Sequence, residues 1–265
     1  MVYRKRPLQL SLLLLAGLLF SCSVTTESPP QEEQESTAGY PEVLQLALAA
    51  HGGLEQWQQM AWLEYELLRD NEKVDHQLIS LDTRKVLITA DHYTLGFDGN
   101  EVWYKSDDGQ QPVSDPRFYH NLHFYFVGMP FVFADLGIIY EPLGRRELDE
   151  KTYEALKISY ESGVGDAPDD EYIVYFDPKT HQMAWLLYTV TYFTGEKSTE
   201  FSARHYQDWQ WVNGLLLPLH VDSYAWNEGQ PGDKKYRNAY HDLVIDDIGP
   251  DESRFLMPVG GQVAP

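Results

Sequence analysis

The strongest constraint on the fold is a series of short segments in which apolar and polar residues alternate. Residues 63–67, 86–90, 156–160 and 215–221 each carry an apolar side chain at every second position. Successive side chains of a β-strand point to opposite faces, so this pattern predicts strands with one buried face. Turn-forming dipeptides such as Asn213-Gly214 separate the segments. Together they predict an antiparallel meander of about nine to eleven strands.

Two further segments, residues 172–176 and 183–193, are apolar on both faces and must be covered on both sides. The candidate cover is residues 115–136. This segment begins with the helix-start signal Asp115-Pro116 and contains seven aromatic residues between positions 118 and 133. We therefore predict an apolar helix and loop that lie across a curved sheet.

A helix is also predicted at the start of the folded part. Pro41 occupies a typical first helical position, residues 43–50 are rich in apolar side chains, and His51-Gly52-Gly53 ends the run. We predict a short second helical turn over residues 54–60. No linker interrupts residues 40–265, so we predict a single domain that is mostly β with a few helices.

The N-terminus has the pattern of a secretory signal. Basic residues at positions 4–6 precede an apolar run over 8–20, which is too short for a bilayer-spanning helix. Leu19-Phe20-Ser21-Cys22 resembles the cleavage and lipidation site of bacterial lipoproteins. We predict a signal peptide over 1–21, a lipidated Cys22 and a polar, disordered tether over 22–39. The alternative is an ordinary secretory peptide in which the cysteine has no role.

Composition excludes several classes of function. The net charge is −21 and the chain has no basic stripe, so we expect no nucleic-acid binding. The single cysteine excludes an intramolecular disulfide and a cysteine-ligated zinc site. The sequence has no nucleophile elbow, P-loop, dinucleotide fingerprint or His-Glu-x-x-His motif, so we predict no enzymatic activity and no cofactor.

Several motifs together resemble a family of lipoproteins of unassigned function from Gram-negative bacteria. That family is in turn distantly similar in layout to the lipoprotein carrier and receptor proteins of the Lol system. The motifs that carry the resemblance are spread over residues 40–250: His51 to Trp57, Gly96 to Trp103, Phe124 to Phe126, Met129 to Phe131, Asp135 to Gly137, Tyr188 to Tyr192, Trp211 to Gly214, and Leu217-Pro218.

The resemblance implies an antiparallel unclosed β-barrel, a Lol-type half-barrel, with an N-terminal helix and an inserted helical lid. In that fold the concave face holds acyl chains beneath helices, although a shared fold does not imply a shared cargo. It brings no catalytic residues. The candidate cavity residues are aromatic or apolar: Trp62, Phe118, Leu122, Tyr125, Phe126, Phe131, Phe133, Trp185 and Tyr192.

The first functional hypothesis is a monomeric lipoprotein of the cell envelope that binds a lipid or acyl chain. We expect it to be anchored through Cys22 in the outer membrane, facing the periplasm. Two alternatives remain open at this point. One is an envelope hydrolase whose site is assembled from scattered histidines and carboxylates, and the other is a structural or interaction lipoprotein with no ligand.

Metal sites have only weak support. His120 and His123 share a helical face at a spacing of three residues, but no third ligand is evident nearby, so two ordinary lid histidines are favoured. The acidic segments 161–171 and 242–252 lack the ligand spacing of an EF-hand calcium loop. Solvated loops are the favoured interpretation of both.

Overall fold

The computed structural model describes residues 39–161 and 169–265. The predicted signal peptide over 1–21, Cys22 and the tether over 22–39 up to residue 38 lie outside the described residues. Residues 162–168 of the acidic segment also lie outside them. None of the helices within the two described ranges is long and apolar enough to cross a lipid bilayer.

The described residues form three α-helices, two 3-10 turns and thirteen strands. The helices are α1 (Glu42–Ala50), α2 (Leu54–Gln58) and α3 (Pro116–Gly128), and the 3-10 turns are Phe131–Ala134 and Glu252–Phe255. The strands are β1 (Trp62–Arg69), β2 (Glu72–Ser80), β3 (Val86–Thr89), β4 (Tyr93–Phe97), β5 (Val102–Ser106), β6 (Ile138–Leu148), β7 (Lys151–Tyr160), β8 (Tyr172–Phe176), β9 (Met183–Tyr188), β10 (Ser202–Val212), β11 (Leu215–Asn227), β12 (Gln230–Asp246) and β13 (Gln262–Val263).

All thirteen strands belong to one antiparallel sheet. Its order is β13-β5-β4-β3-β2-β1-β12-β11-β10-β9-β8-β7-β6, with β13 at one edge and β6 at the other. Among the described residues these two edge strands do not pair, so the sheet is unclosed. The predicted fold class, an unclosed antiparallel sheet with an N-terminal helix and an inserted helix, is confirmed. The strand number exceeds the prediction partly because the two-residue strand β13 is too short to give an alternation signal.

The predicted alternation defines the inner face of the sheet, which packs against the helices. Leu63, Tyr65 and Leu67 of β1 are fully buried in the main core, whereas Glu64 and Glu66 between them are partly exposed. Helix α3 contacts β3, β4, β5 and β11. The inserted helix therefore lies across strands that are far apart in the sequence.

Strands β8 and β9 bury their second face in a separate cluster, not against residues 115–136. Tyr175, Trp185 and Leu187 lie in this second cluster, together with Tyr153 of β7 and Ala203 of β10. The expectation that residues 115–136 cover the second face is therefore wrong. The inserted segment lies over the inner face, and large side chains of neighbouring strands bury the outer one.

Strand β9 also ends earlier than the apolar segment 183–193 indicates. It stops at Tyr188 instead of continuing to Phe193. The backbone N–H of Thr189 donates to the carbonyl of Glu171 at 3.0 Å, and the N–H of Thr191 donates to the Asp170 carboxylate at 2.6 Å. The segment after β9 is thus held by side-chain and loop contacts in place of a regular ladder.

The His51-Gly52-Gly53 motif ends α1 and docks on the start of β11. The N–H of Leu216 donates to the carbonyl of His51 at 2.8 Å. The His51 ring is fully buried, lies edge-on to Trp209 at 4.6 Å, and donates from Nδ1 to the carbonyl of Ala47 at 2.7 Å. This histidine is therefore held as a neutral core residue.

Burial of His51 predicts a loss of stability in mild acid. Burial lowers its pKa to about 4, from 6.5 for a free histidine. Between these values the unfolded chain binds a proton that the folded chain does not, so the free energy of unfolding falls as the pH drops from about 6.5 to about 4. The His51 contribution to this fall is about 3 kcal/mol at most.

Urea unfolding of the native chain and of His51→Asn at pH 7 and pH 4.5 measures this contribution. The asparagine does not titrate, so the difference between the two pH values should be smaller in the variant. His92→Asn changes a histidine whose side chain is 85% exposed and serves as the control. An identical pH dependence in His51→Asn and the native chain would contradict the assignment.

Candidate functional site

Helix α3 is positioned by strong local signals at both ends. The Asp115 carboxylate accepts a hydrogen bond from the N–H of Phe118 at 2.8 Å, and Pro116 occupies the first helical position. The helix ends at Gly128, ahead of Pro130. The predicted helix start at Asp115-Pro116 is confirmed.

The inner side of α3 is fixed to the sheet by two hydrogen bonds from tyrosines. The Tyr119 hydroxyl donates to the buried Asp75 carboxylate at 2.5 Å. The Tyr206 hydroxyl of β10 donates to the carbonyl of Phe126 at 2.9 Å. These contacts hold the helix over the sheet along one side.

On the other side of α3, a cavity of about 360 Å³ separates the helix from strands β7, β8 and β9. We call it the α3 cavity. Its volume is at the small end of the range that is usual for small-molecule sites. It is lined by Arg84, Arg117, Phe118, Asn121, Leu122, Tyr125, Phe126, Met129, Val132, Asp135, Leu136, Tyr160, Asp170, Tyr172, Tyr188, Val190 and Tyr192.

The sheet side of the α3 cavity is a wall of tyrosines. Tyr160, Tyr172 and Tyr188 come from the three successive strands, and Tyr172 lies directly opposite Tyr188 in the β8–β9 ladder with its ring 6.2 Å away. Burial raises the pKa of all three hydroxyls, so the wall is uncharged at neutral pH. This surface suits apolar or aromatic ligand groups.

Two exposed apolar side chains lie at the mouth of the cavity. Leu136 is 93% exposed and Phe193, which packs on the lining residue Phe118 at 4.9 Å, is 63% exposed. Exposed apolar side chains grouped around an opening are typical of sites that receive apolar partners.

Besides Arg117 and Asn121, the lining includes two groups of polar contacts. Nη2 of Arg84 donates to both carboxylate oxygens of Asp135, at 2.9 and 3.0 Å. Asp170 is largely buried and accepts from the N–H of Thr191, and burial raises the pKa of its carboxyl. Both carboxylates are thus already engaged by protein donors.

The structure brings five of the nine candidate cavity residues together. These five all line the α3 cavity: Phe118, Leu122, Tyr125, Phe126 and Tyr192. Four of them lie on α3, where their helical spacing places them on the side that faces β7–β9.

The other four candidates lie away from the lining of this cavity. Phe131 stacks on Trp57 at 4.8 Å, and Phe133 is fully buried behind Tyr172. Trp185 points to the outer face of the sheet, where it stacks on His205 at 4.1 Å. Trp62 begins β1 and is likewise not among the lining residues.

The two lid histidines are buried in different surroundings. Nδ1 of His120 lies 2.5 Å from the carbonyl of Arg117, and its ring contacts Phe97 at 5.0 Å. The His123 ring lies near Tyr119 and Phe126. Within 39–161 and 169–265, no group of three or more His, Cys, Asp or Glu side chains is arranged to hold a metal ion.

Histidine–carboxylate pairs, which the hydrolase alternative requires, occur outside the α3 cavity. His220 Nδ1 lies 2.8 Å from the Asp208 carboxylate, and His76 Nε2 lies 2.8 Å from Glu64. None of these four side chains lines the cavity.

Residues 105–214 match the model of DUF6503, a family of unknown function. The matched stretch contains α3, the first 3-10 turn and β6–β10. It includes every lining residue of the α3 cavity except Arg84. For this part of the chain the match confirms the resemblance to a family of unassigned function.

Several solved structures are similar to this chain at low sequence identity. A LolA superfamily protein from Nitrosomonas europaea is 9% identical, with 79% of this chain and 97% of that chain covered and a TM-score of 0.46. A DUF1329 family protein from Desulfovibrio piger is 11% identical, with coverage of 81% and 95% and a TM-score of 0.46. The Mycobacterium tuberculosis lipoprotein LppX is 8% identical, with coverage of 77% and 96% and a TM-score of 0.26. The comparison with curated proteins finds no match.

Proposed function

We propose that this chain is a membrane-anchored lipoprotein of the cell envelope that binds one apolar chain, from a lipid or an acyl group, in the α3 cavity. The observation that carries this proposal is the tyrosine-walled cavity of about 360 Å³ with its apolar mouth. Transfer of apolar ligand surface from water into such a site contributes roughly 25 cal/mol per Å², less the cost of association.

The ligand enters through the mouth beside Leu136. Helix α3 is bonded to the sheet on its inner side through Tyr119 and Tyr206, so that side resists opening. The opposite side has the exposed Leu136 and Tyr125, the latter 40% exposed. Movement of the mouth residues, with the helix still anchored, admits the chain.

Anchoring supplies the location of this activity. An acylated Cys22 holds the protein at the outer membrane facing the periplasm, and the tether over 22–39 keeps the cavity close to the lipid surface. A flexible tether of this length has a root-mean-square reach of roughly 23 Å. This chain alone supplies the lining of the α3 cavity, so binding requires no second copy, and we propose a monomer.

Filling the cavity should abolish most of the binding. Val190→Trp places an indole into the α3 cavity, whereas Val244→Trp makes the same change at a side chain that is 44% exposed and not part of the lining. Loss of about 100 Å² of ligand contact weakens binding by about tenfold or more, while Val244→Trp should bind like the native chain.

The measurement is a titration of the full chain with a fluorescent fatty acid, together with native mass spectrometry of co-purified lipid. A fluorinated surfactant keeps the acylated chain in solution without supplying hydrocarbon to the cavity. The proposal fails if the native chain neither carries lipid nor takes up the probe. It also fails if Val190→Trp binds the probe as tightly as Val244→Trp does.

A further inference from the structure

Arg204 is a buried cation on the inner face of β10. Its side chain is 7% exposed and lies on the same face as Tyr206, opposite the outer-face cluster that holds Ala203. The guanidinium donates to the Ser223 hydroxyl and, at 3.0 Å, to the Tyr236 hydroxyl. In the part of the chain that the structure describes, Nε of Arg204 has no hydrogen-bond partner.

The charge of Arg204 has no carboxylate partner. Over the described ranges, no Asp or Glu oxygen lies within 4.0 Å of its guanidinium. Three aromatic rings surround the guanidinium instead, with ring centres at 5.1 Å for Phe126, 5.3 Å for Tyr188 and 5.4 Å for Tyr236. Buried charges in proteins are normally paired, so an unpaired one next to a cavity requires an explanation.

Arg204 lies directly behind the inner end of the α3 cavity. Phe126 and Tyr188 both line that cavity, and their rings meet at 5.5 Å with the guanidinium over both. These two rings form the partition between the cavity and the cation. Because the two rings are in contact, a ligand group reaches the buried Nε of Arg204 only when the Phe126 and Tyr188 side chains move apart.

His123 adds further unused hydrogen-bonding capacity at the same place. It precedes Phe126 by three residues on α3, is 1% exposed, and neither ring nitrogen has a partner among the described residues. Burial and the charges of Arg69 and Arg204 lower its pKa to about 3, so the ring is neutral and offers one donor and one acceptor.

The buried acid in this interior is already engaged elsewhere. Asp75 accepts hydrogen bonds from Tyr119 at 2.5 Å and from Gln77 at 2.9 Å. Arg69, a second cation of the interior, donates to Asn238 at 3.3 Å. Behind the Phe126–Tyr188 partition, the two guanidinium groups of Arg69 and Arg204 thus accompany one buried carboxylate, Asp75. Asp170, which lines the cavity itself, is bonded to the N–H of Thr191.

We infer that the ligand of the α3 cavity is an anionic single-chain amphiphile whose head group pairs with Arg204 and His123 while its tail lies against the tyrosine wall. This inference rests on the proposed function. The recognised chemistry is a compact anion, a carboxylate or a phosphate monoester, at the end of an alkyl chain. The ligand would supply the counter-charge that Arg204 lacks.

A head-group series tests the inference on the native full chain. Dodecanoate, monododecyl phosphate, dodecan-1-ol and dodecylamine share one tail and are titrated as competitors of the uncharged probe 1-N-phenylnaphthylamine. We expect the better anion to bind at least about tenfold more tightly than the alcohol, and the amine to bind more weakly than the alcohol. Of the two anions, the one that binds more tightly identifies the head group as a carboxylate or a phosphate monoester.

Arg204→Met removes the charge at nearly constant volume and should bring the anions to the affinity of dodecan-1-ol. Arg145→Met, at a side chain that is 75% exposed, removes the same charge from the surface and should keep the native preference. Arg204→Lys retains the charge and should retain part of the preference for the anions over dodecan-1-ol. If Arg204→Met does not fold, the head-group series on the native chain and on Arg204→Lys still tests the inference.

The outcomes separate the inference from the proposed function. Equal affinity of the native chain for dodecanoate, dodecyl phosphate and dodecan-1-ol overturns the inference and leaves the apolar site intact. A native anion preference that persists in folded Arg204→Met also overturns it. Failure of the probe and of all four competitors to bind overturns both.

Discussion

Gly52→Ala is expected to lower the free energy of unfolding by about 3 kcal/mol or more. Gly52 has a φ of +107°, a backbone conformation that a residue with a Cβ adopts only under strain. A Cβ at this position would also lie 2.2 Å from the carbonyl oxygen of Gly214. That oxygen belongs to a backbone segment that is itself fixed, because the next residues open β11 and Leu216 is bonded to His51.

A substitution at the neighbouring Gly53 distinguishes the cost of backbone strain from the cost of the steric clash. Gly53 has a φ of +95°, but a Cβ there would meet nothing within 4 Å. Gly53→Ala should therefore cost about 1–2 kcal/mol from backbone strain alone. Urea unfolding of both variants measures the two losses, and Gly249→Ala, with an ordinary φ and ordinary contact to Ala61, is the neutral control. Equal losses in Gly52→Ala and Gly53→Ala would show that the docking on Gly214 is not tight.

This contact shows what the sequence could predict about the fold and what it could not. The apolar run over 43–50 followed by two glycines predicts a helix and its end, because capping depends on local backbone geometry. Asn213-Gly214 likewise predicts a turn. That the two motifs touch each other depends on the path of the whole sheet, and no local rule places residues that are about 160 positions apart.

The lid side of the cavity was predictable because helical spacing is a local property. Phe118, Leu122, Tyr125 and Phe126 follow from the position of α3 and its apolar side. On the strands, alternation assigns residues to two faces but does not say which face is the inner one. Trp185 and Tyr192 are seven positions apart, so a regular strand places them on opposite faces, and both could not line one cavity.

The two-residue period of a strand could have predicted part of the tyrosine wall, which the candidate cavity residues did not include. Counting back by two from Tyr192 gives Val190 and Tyr188, which both line the cavity. Tyr160 and Tyr172 lie on other strands, and their approach to Tyr188 depends on the register of the β7–β8 and β8–β9 ladders. Arg204, between Ala203 and His205, gives no signal in the sequence, since arginine is usually an exposed residue.

Cys22→Ser, made with an ordinary cleavable secretory signal peptide in place of residues 1–21, is expected to release the chain from the membrane fraction. Each buried methylene of an acyl chain contributes about 0.8 kcal/mol to membrane binding, and one chain alone binds only marginally. The several chains of a bacterial lipoprotein therefore anchor it stably, and their loss shifts its partition by orders of magnitude. Cell fractionation measures whether the chain is in the membrane fraction. Mass spectrometry of the intact chain measures the acyl mass on residue 22.

The neighbouring substitution Ser23→Ala keeps the cysteine and should leave the chain in the membrane fraction with its acyl mass. A native chain that lacks acyl mass, or a Cys22→Ser chain that stays in the membrane to the same extent, would contradict lipidation at this residue. The affinity of the α3 cavity for dodecanoate should be the same in Cys22→Ser and in the native chain, because every lining residue lies between 84 and 192. Loss of membrane association would therefore assign anchoring to Cys22. Unchanged ligand affinity in the same variant would assign binding to the sheet and α3, so the two properties would be separable.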